Sequence, residues 1–321
     1  MRKNQPKCVI CSASSRFWSA VPPYRGSQQA TSKSQRGTKV FNLYKCDRCG
    51  HGFFYPGVRG QKELDRFYDE GYAHDYHPDV KNESFVKRHK QYRLDVSHIQ
   101  DFLPAGNISV LDFGCATGQF LNAMPDHWRK NGFEVNKFEI EYVKKNYGNI
   151  RILSDIRQLP KQTFDLITLR GVIEHLFDFN NLFSVIEESL KKGGMVYICA
   201  TPDFNSPCSV VYKAQWNQIG APLHYHQFTA ASLAILFAKH HFGLKVLRYD
   251  YLDTPYEHFE DDASKFVDNV NSALKNQTLR ATDHAYPGTM ITMLFKDIKG
   301  ISQDAQYAGI SQNVLSETPA V

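Results

Sequence analysis

The sequence predicts an α/β protein, built on a mostly parallel sheet with helices on both faces and preceded by a small cysteine-bearing module. Three observations carry that expectation. From residue 108 onward, short apolar runs alternate with segments of helical periodicity, the pattern of strands joined by crossover helices. The stretch SVLDFGCATGQFLNAM, residues 109–124, reads as a strand, a tight glycine turn and a helix. Four of the seven cysteines fall as two C-x2-C pairs near the amino end, CVIC at 8–11 and CDRC at 46–49.

The module comes first in the chain. Cys8, Cys11, Cys46 and Cys49 can make two tight knuckles, and four thiolates suit tetrahedral zinc. Metal binding supplies a segment of this size with the folding energy that its core lacks. Such a site is closed and structural. His51 lies close by, but four cysteines already fill the shell, so it reads as a bystander. The stretch RGSQQATSKSQRGTK between the pairs is polar and rich in glycine and serine, a loose loop. The zinc ribbon is expected over 1–57.

A helical lead-in is expected over 58–106. QKELDRFYDEGYAHDY, residues 61–76, reads as a short amphipathic helix. In a second helix Phe85, His89, Tyr92, Val96, Ile99 and Leu103 recur at spacings of four and three and share one face. Pro104 and Gly106 end it. The α/β domain follows over 107–298. Strands are expected at 108–113, 133–138, 150–153, 164–170, 195–200, 244–251 and 289–295. Helices are expected at 117–129, 140–146, 180–191 and 230–241, the last capped by Thr229. The polar, acidic stretch 253–284 reads as a helical insertion, and 299–321 as a disordered tail.

Composition narrows the class. Hydrophobic residues make up 42% and aromatics 13% of the 321 residues, enough for a large core. The net charge of +5 permits an acidic partner without demanding one. No apolar run approaches the roughly 20 residues needed to span a bilayer, and the basic start lacks an apolar signal region. A soluble, cytoplasmic protein is expected, with its thiols reduced or metal-bound.

The glycine turn sits where ligands bind, at the carboxyl edge of the sheet. It lacks the third glycine of the dinucleotide fingerprint, since Gln stands at 119, and it lacks the G-K-[ST] of a phosphate loop. Asp112, just before the turn, repels phosphate but suits an amine or a ribose hydroxyl. Glu139 is expected at the carboxyl end of the second strand, where a carboxylate can accept both ribose hydroxyls. Asp155 follows the third strand, in place to meet an adenine amino group. Three acids on successive strand ends describe a nucleoside that carries a cation instead of phosphates.

The motifs VLDFGCATGQFL, KFEIE, SDIRQLP, FDLITLRGVIEHL and LKKGGMVYICATP, in that order, resemble those of class I S-adenosylmethionine-dependent methyltransferases. The resemblance covers about residues 108 to 296. It implies a Rossmann-like seven-stranded methyltransferase sheet with helices on both faces. It places Asp112, Gly114 and Gly118 around the methionine part of S-adenosylmethionine, with Phe120 nearby. Glu139 with Ile140 goes to the ribose, Asp155 with Ile156 to the adenine, and Leu169 and Arg170 border the sulfonium. Ala116 also lies in the cofactor turn, where most members have glycine.

Transfer from a sulfonium to an alcohol or an acidic carbon needs alignment and a base. GVIEHL offers Glu174 and His175 after the fourth strand. The long loop after the fifth contains Tyr212, Trp216, His224, Tyr225 and His226. His224 is the expected base, His226 the second choice, and His175 the third, unless its ring is bonded to backbone. The lead-in FNLYKCDRCGHGFFYPGVRGQKELDRFYDEGYAHDY resembles that of bacterial methyltransferases of sugar and surface-polysaccharide pathways. PLHYHQF is similar to their substrate-loop segment, with Leu223 in place of a usual Glu. GVIEHL also resembles quinone-pathway O-methyltransferases, some of which carry a metal-site Glu where Gly171 stands here. The sugar C-methyltransferases carry an extra carboxyl-terminal domain for which this chain has no room, so O-methylation is expected at least as much as C-methylation.

These resemblances imply a small-molecule acceptor, a nucleotide- or lipid-linked sugar or a similar metabolite. An RNA methyltransferase that grips RNA with its ribbon stays open, although the basic residues form no dense patch and the N-P-P-Y tetrad is missing. A catalytically inactive binding module stays open as well. Sequence leaves the oligomeric state undetermined.

Overall fold

The computed structural model of the chain describes residues 5–22, 40–57, 83–250, 259–277, 279 and 288–300. The helix expected over 61–76, the loop expected at 25–39 and the tail beyond Gly300 lie outside the described residues.

Two sheets form. The smaller has the order β1-β2-β3-β9, with β1 Ser15–Val21, β2 Phe41–Cys46, β3 Gly52–Phe54 and β9 His226–Gln227. All its pairings are antiparallel, and one row crosses it in register: Phe17, Tyr44, Phe53, His226. Three strands come from the amino-terminal module and the fourth from the long loop after the fifth expected strand.

The larger sheet runs β10-β11-β8-β7-β4-β5-β6. Its strands are β4 Ser109–Phe113, β5 Arg129–Phe133, β6 Ile150–Leu153, β7 Phe164–Arg170, β8 Leu190–Pro202, β10 Phe242–Asp250 and β11 Met290–Asp297. β4 to β8 are parallel, whereas β11 runs antiparallel to both neighbours. From β4 the chain winds outward through β5 and β6, then returns to the other side with β7. That reversal opens a crevice at the carboxyl ends of β4 and β7, the place where open α/β sheets bind ligands.

The helices are α1 Glu83–Gln100, α2 Gln119–Ala123, α3 Lys137–Asn146, α4 Phe179–Ser189, α5 Pro207–Tyr212, α6 Ala230–Lys239 and α7 Phe259–Leu274. α4 shows why such a segment folds. Phe179, Leu182, Phe183 and Ile186 recur at helical spacing and are all buried. Each such burial is worth roughly 1.5–3 kcal/mol. Asp178 caps it by accepting from the Asn181 amide. Thr229 caps α6 through a reciprocal bond pair with Ser232. On α1, Tyr92, Val96 and Ile99 of the expected face are buried. α7 supplies the helix expected within 253–284.

Two elements differ from expectation. The helix expected over 117–129 spans only Gln119–Ala123, because Met124 precedes Pro125 and is extended (φ −73°, ψ 158°). The strand expected at 133–138 is Arg129–Phe133. Its polar sequence hid it. Lys130 and Asn131 are buried there, and Asn131 satisfies its amide on the carbonyls of Val110 and Arg129. Gly132 is needed in the middle, since a Cβ would stand 2.5 Å from the Cys115 Sγ of the glycine turn.

Candidate functional site

The turn after β4 is built from left-handed residues. Gly114, Ala116 and Gly118 have φ of 76°, 47° and 75°. The amides of Gly114 and Cys115 both donate to the Phe133 carbonyl at the end of β5, 2.8 and 3.1 Å away. Val172 closes the turn from the β7 side, and a Cβ on Gly114 would meet its Cγ2 at 2.9 Å. Asp112 is buried, and the Thr168 hydroxyl donates to it at 2.6 Å. Burial pushes its carboxyl up to about 6, against the pull of the Thr168 bond and the Arg170 charge.

Because β5 ends at Phe133, the acid at its carboxyl end is Glu134. Glu139, expected at that strand end, sits instead in the first turn of α3. The Glu134 carboxylate accepts from the amides of Ala116 at 3.0 Å, Val135 at 2.7 Å and Asn136 at 2.9 Å. It therefore ties the glycine turn to the start of α3. Burial, and then the neighbouring Glu134, push the Glu139 carboxyl up to about 7. Ile140 is buried behind it. Glu134 was legible only to a reading that placed β5 correctly.

Asp155 caps the short helical turn Ile156–Gln158. Arg157 donates to its carboxylate from Nε and Nη2, at 3.0 and 2.6 Å, and lowers it to about 2. Ile156 is half-buried against the core. The Leu169 side chain is fully buried in that core, so only its backbone is left to border the strand-end crevice. Arg170 turns toward α1, pairing with Asp95 at 3.4 Å and lying 4.5 Å over the Tyr92 ring. Phe120 packs on the same ring, with centroids 5.7 Å apart. In the sequence Tyr92 stands out only as a member of a helix face, and nothing marks Asp95.

The histidines separate into two groups. His175 and His224 meet edge to face at 4.7 Å, and with Glu174 their polar atoms lie within 4.8 Å of one another. His224 Nδ1 lies 2.7 Å from the Gln218 carbonyl, and His175 Nδ1 2.9 Å from that of Leu223. A carbonyl oxygen only accepts, so each Nδ1 carries the hydrogen and each Nε2 keeps its lone pair. Burial lowers both imidazoles, His175 to about 3 with further help from His224, so both are neutral near pH 7. Glu174 is buried, accepts from the Thr201 hydroxyl at 3.1 Å, and is pushed by burial up to about 7. One carboxyl and two imidazoles are donor types that a divalent metal also accepts, although Gly171 adds no further ligand.

His226 does not join them. It is enclosed by Phe179 and Phe228, and its Nδ1 lies 3.0 Å from His51 Nε2. Burial lowers it to about 3. The second-choice base is thus buried among aromatic rings, and its partner is the histidine that the sequence marked as a bystander. Tyr212 and Trp216 of the long loop are buried as well, against Phe41, Leu43 and Phe54 of the smaller sheet.

The four cysteines gather at the end of the smaller sheet. Cys8 and Cys49 Sγ are 3.6 Å apart, Cys11 and Cys46 3.4 Å, Cys11 and Cys49 3.6 Å. A tetrahedron with metal–sulfur bonds of about 2.3 Å needs edges of about 3.8 Å. The Ile10 and Arg48 amides donate to Cys8 and Cys46 Sγ, as knuckle amides do for thiolates. The residues fit a structural zinc ion.

A family profile described as a methyltransferase domain matches residues 86–249, from α1 to β10. Solved structures similar to this chain include the YcgJ protein of Bacillus subtilis, with 15% identity over 66% of this chain and 100% of that one, and a TM-score of 0.48. An S-adenosylmethionine-dependent methyltransferase of Mesorhizobium loti matches with 15% identity over 62% of this chain and 96% of its own, TM-score 0.43. One from Methanosarcina mazei matches with 13% identity over 62% and 96%, TM-score 0.45. No curated protein matches. Among the described residues, no helix is long and apolar enough to cross a membrane.

Proposed function

We propose, from the premise that this chain belongs to the methyltransferase-domain family and uses S-adenosylmethionine, that its acceptor is a small molecule and its base His224. The methyl group passes to a hydroxyl or an acidic carbon of a nucleotide- or lipid-linked sugar or a similar metabolite. The sulfonium sulfur keeps the electron pair of the broken bond and leaves as the thioether of S-adenosylhomocysteine. The acceptor proton goes to His224 Nε2.

The observation that carries the base assignment is the Gln218 carbonyl on His224 Nδ1, which leaves a neutral imidazole with its lone pair on the other nitrogen. His175, fixed in the same way beside it, lines the acceptor side. Asp112 and the turn through Gly114, Ala116 and Gly118 take the methionine part, Glu134 takes the ribose in place of Glu139, and Ile156 borders the adenine. Arg170 acts through α1, where its charge is paired with Asp95. Zinc at Cys8, Cys11, Cys46 and Cys49 is structural.

The small-molecule reading draws support from the ribbon. Among its described residues, one set of buried side chains packs with the core of the larger sheet and another with the long loop, so much of its sheet serves internal packing, with Arg16 and Phe17 of β1 left exposed. His224→Ala tests the base: turnover is expected to fall by about 10²-fold or more with cofactor affinity unchanged. An unaltered rate removes His224 from the role. Labelled S-adenosylmethionine, offered with an extract separated into small molecules, lipids, RNA and proteins, tests the acceptor. Label in the RNA fraction overturns the reading.

A further inference from the structure

The amino-terminal ribbon lies outside the matched methyltransferase profile, yet it is joined to the acceptor side of the site at several points. β9 has β3 as its strand partner, pairing Gly52 with Gln227 and Phe53 with His226. Beneath that pairing, His51 Nε2 and His226 Nδ1 are 3.0 Å apart, and both rings are buried. Phe53 stacks on His51, and Phe179 and Phe228 close over the pair. In such surroundings a lost partner costs more than the bond itself contributes, because the remaining nitrogen has no water to turn to.

The cysteine knuckles are clipped to the same region. The Thr229 hydroxyl, at the cap of α6, donates to the Cys49 carbonyl at 2.8 Å. At the other end of α6, the Lys239 ammonium donates to the Ile10 carbonyl. From β9 the linkage runs on to the proposed base. The Gln227 amide donates to the Ile219 carbonyl at 2.9 Å and to the His224 carbonyl at 2.7 Å. A shift of β9 therefore moves the backbone that carries His224.

We propose that His51 is a positioning residue: through its bond to His226 and the β3–β9 pairing, the ribbon sets the 219–227 segment that presents His224. On this account the ribbon is a buttress of the acceptor site. The inference rests on the reading of His224 as base only for its effect on turnover. Its structural part stands apart from that reading.

The test uses the full chain and the variants His51→Leu and His51→Gln. Zinc content, S-adenosylhomocysteine affinity, amide hydrogen exchange and label transfer into the small-molecule fraction are measured on each. For His51→Leu, zinc content and cofactor affinity are expected to stay within about twofold, while exchange over 223–228 speeds up about tenfold or more and that of β7 does not. Label transfer falls by about tenfold or more. His51→Gln, whose amide reaches the position of Nε2, restores protection and transfer to within about threefold of the original. Unchanged exchange over 223–228 in His51→Leu overturns the proposal, as does loss of its zinc, which would make His51 a folding residue of the ribbon. If His51→Leu does not fold, His51→Gln decides alone, and selective loss of protection over 223–228 beyond threefold overturns it. Faster exchange with undiminished transfer overturns the positioning role if His224→Ala abolishes transfer; if His224→Ala also transfers normally, it is the reading of His224 as base that fails.

Discussion

Glu134→Ala is the substitution that best separates the geometry of the cofactor site from its sequence pattern. The change removes a carboxylate that accepts three amides. Val135 and Asn136 are exposed, so water can replace their bonds at little cost. The Ala116 amide is half-buried within the glycine turn and loses a bond to a charged acceptor, a loss of about 1.5–3 kcal/mol. If Glu134 also holds the ribose, a second loss of similar size appears only in cofactor binding. Calorimetric titration with S-adenosylhomocysteine is then expected to show a fall in affinity of about 10- to 100-fold. Urea unfolding of the free protein reports the turn separately, with a loss of about 1.5–3 kcal/mol. Glu139→Ala, on the first turn of α3, is expected to change affinity by less than about threefold. If Glu139→Ala weakens binding more than Glu134→Ala does, the assignment by strand end is wrong and the spacing-based reading is right.

Three further predictions concern strain, burial and metal. Ala116→Gly relieves a left-handed alanine that costs about 1–2 kcal/mol, offset by about 0.4–1 kcal/mol of added unfolded-state freedom. A net gain of roughly 0.5–1 kcal/mol is expected in urea unfolding, and a loss would place the strain elsewhere. Glu174 is raised from 4.5 to about 7, so its stabilising contribution is full below the unfolded value and is lost as pH rises through about 7. Glu174→Gln, which keeps an acceptor for Thr201, should therefore gain on the unsubstituted protein between pH 5 and 8, by up to about 3 kcal/mol. A stability difference that does not vary with pH would refute that burial argument. Cys46→Ser should release zinc and loosen both knuckles, read as metal content on the purified chain; full occupancy would refute the four-cysteine site.

Much of the architecture was legible because it rests on local signals. The order of strands and helices after residue 108, the Thr229 cap and the stop of α1 near Pro104 follow from periodicity and end chemistry. The glycine turn was visible because Gly114 and Gly118 occupy left-handed positions that such turns require. The two cysteine pairs were visible as well, since each is a short, regular C-x2-C spacing, and the four thiols do gather in the fold. β5 escaped because a central strand with buried Lys130 and Asn131 violates the apolar pattern used to find strands, and with it went the correct strand-end acid.

What the amino-acid sequence determined by itself, then, was the α/β class, the order of the elements after residue 108, the glycine turn and the paired cysteines. Each of these depends on residues close together in the chain. Tertiary structure alone decided that Glu134 takes the strand end and that Arg170 answers to Asp95, 75 residues away. It also decided that His226 pairs with His51 across 175 residues. The chemistry of an imidazole or a carboxylate depends on what surrounds it and on how far water is excluded. Those surroundings are assembled from distant segments, so no local pattern records them.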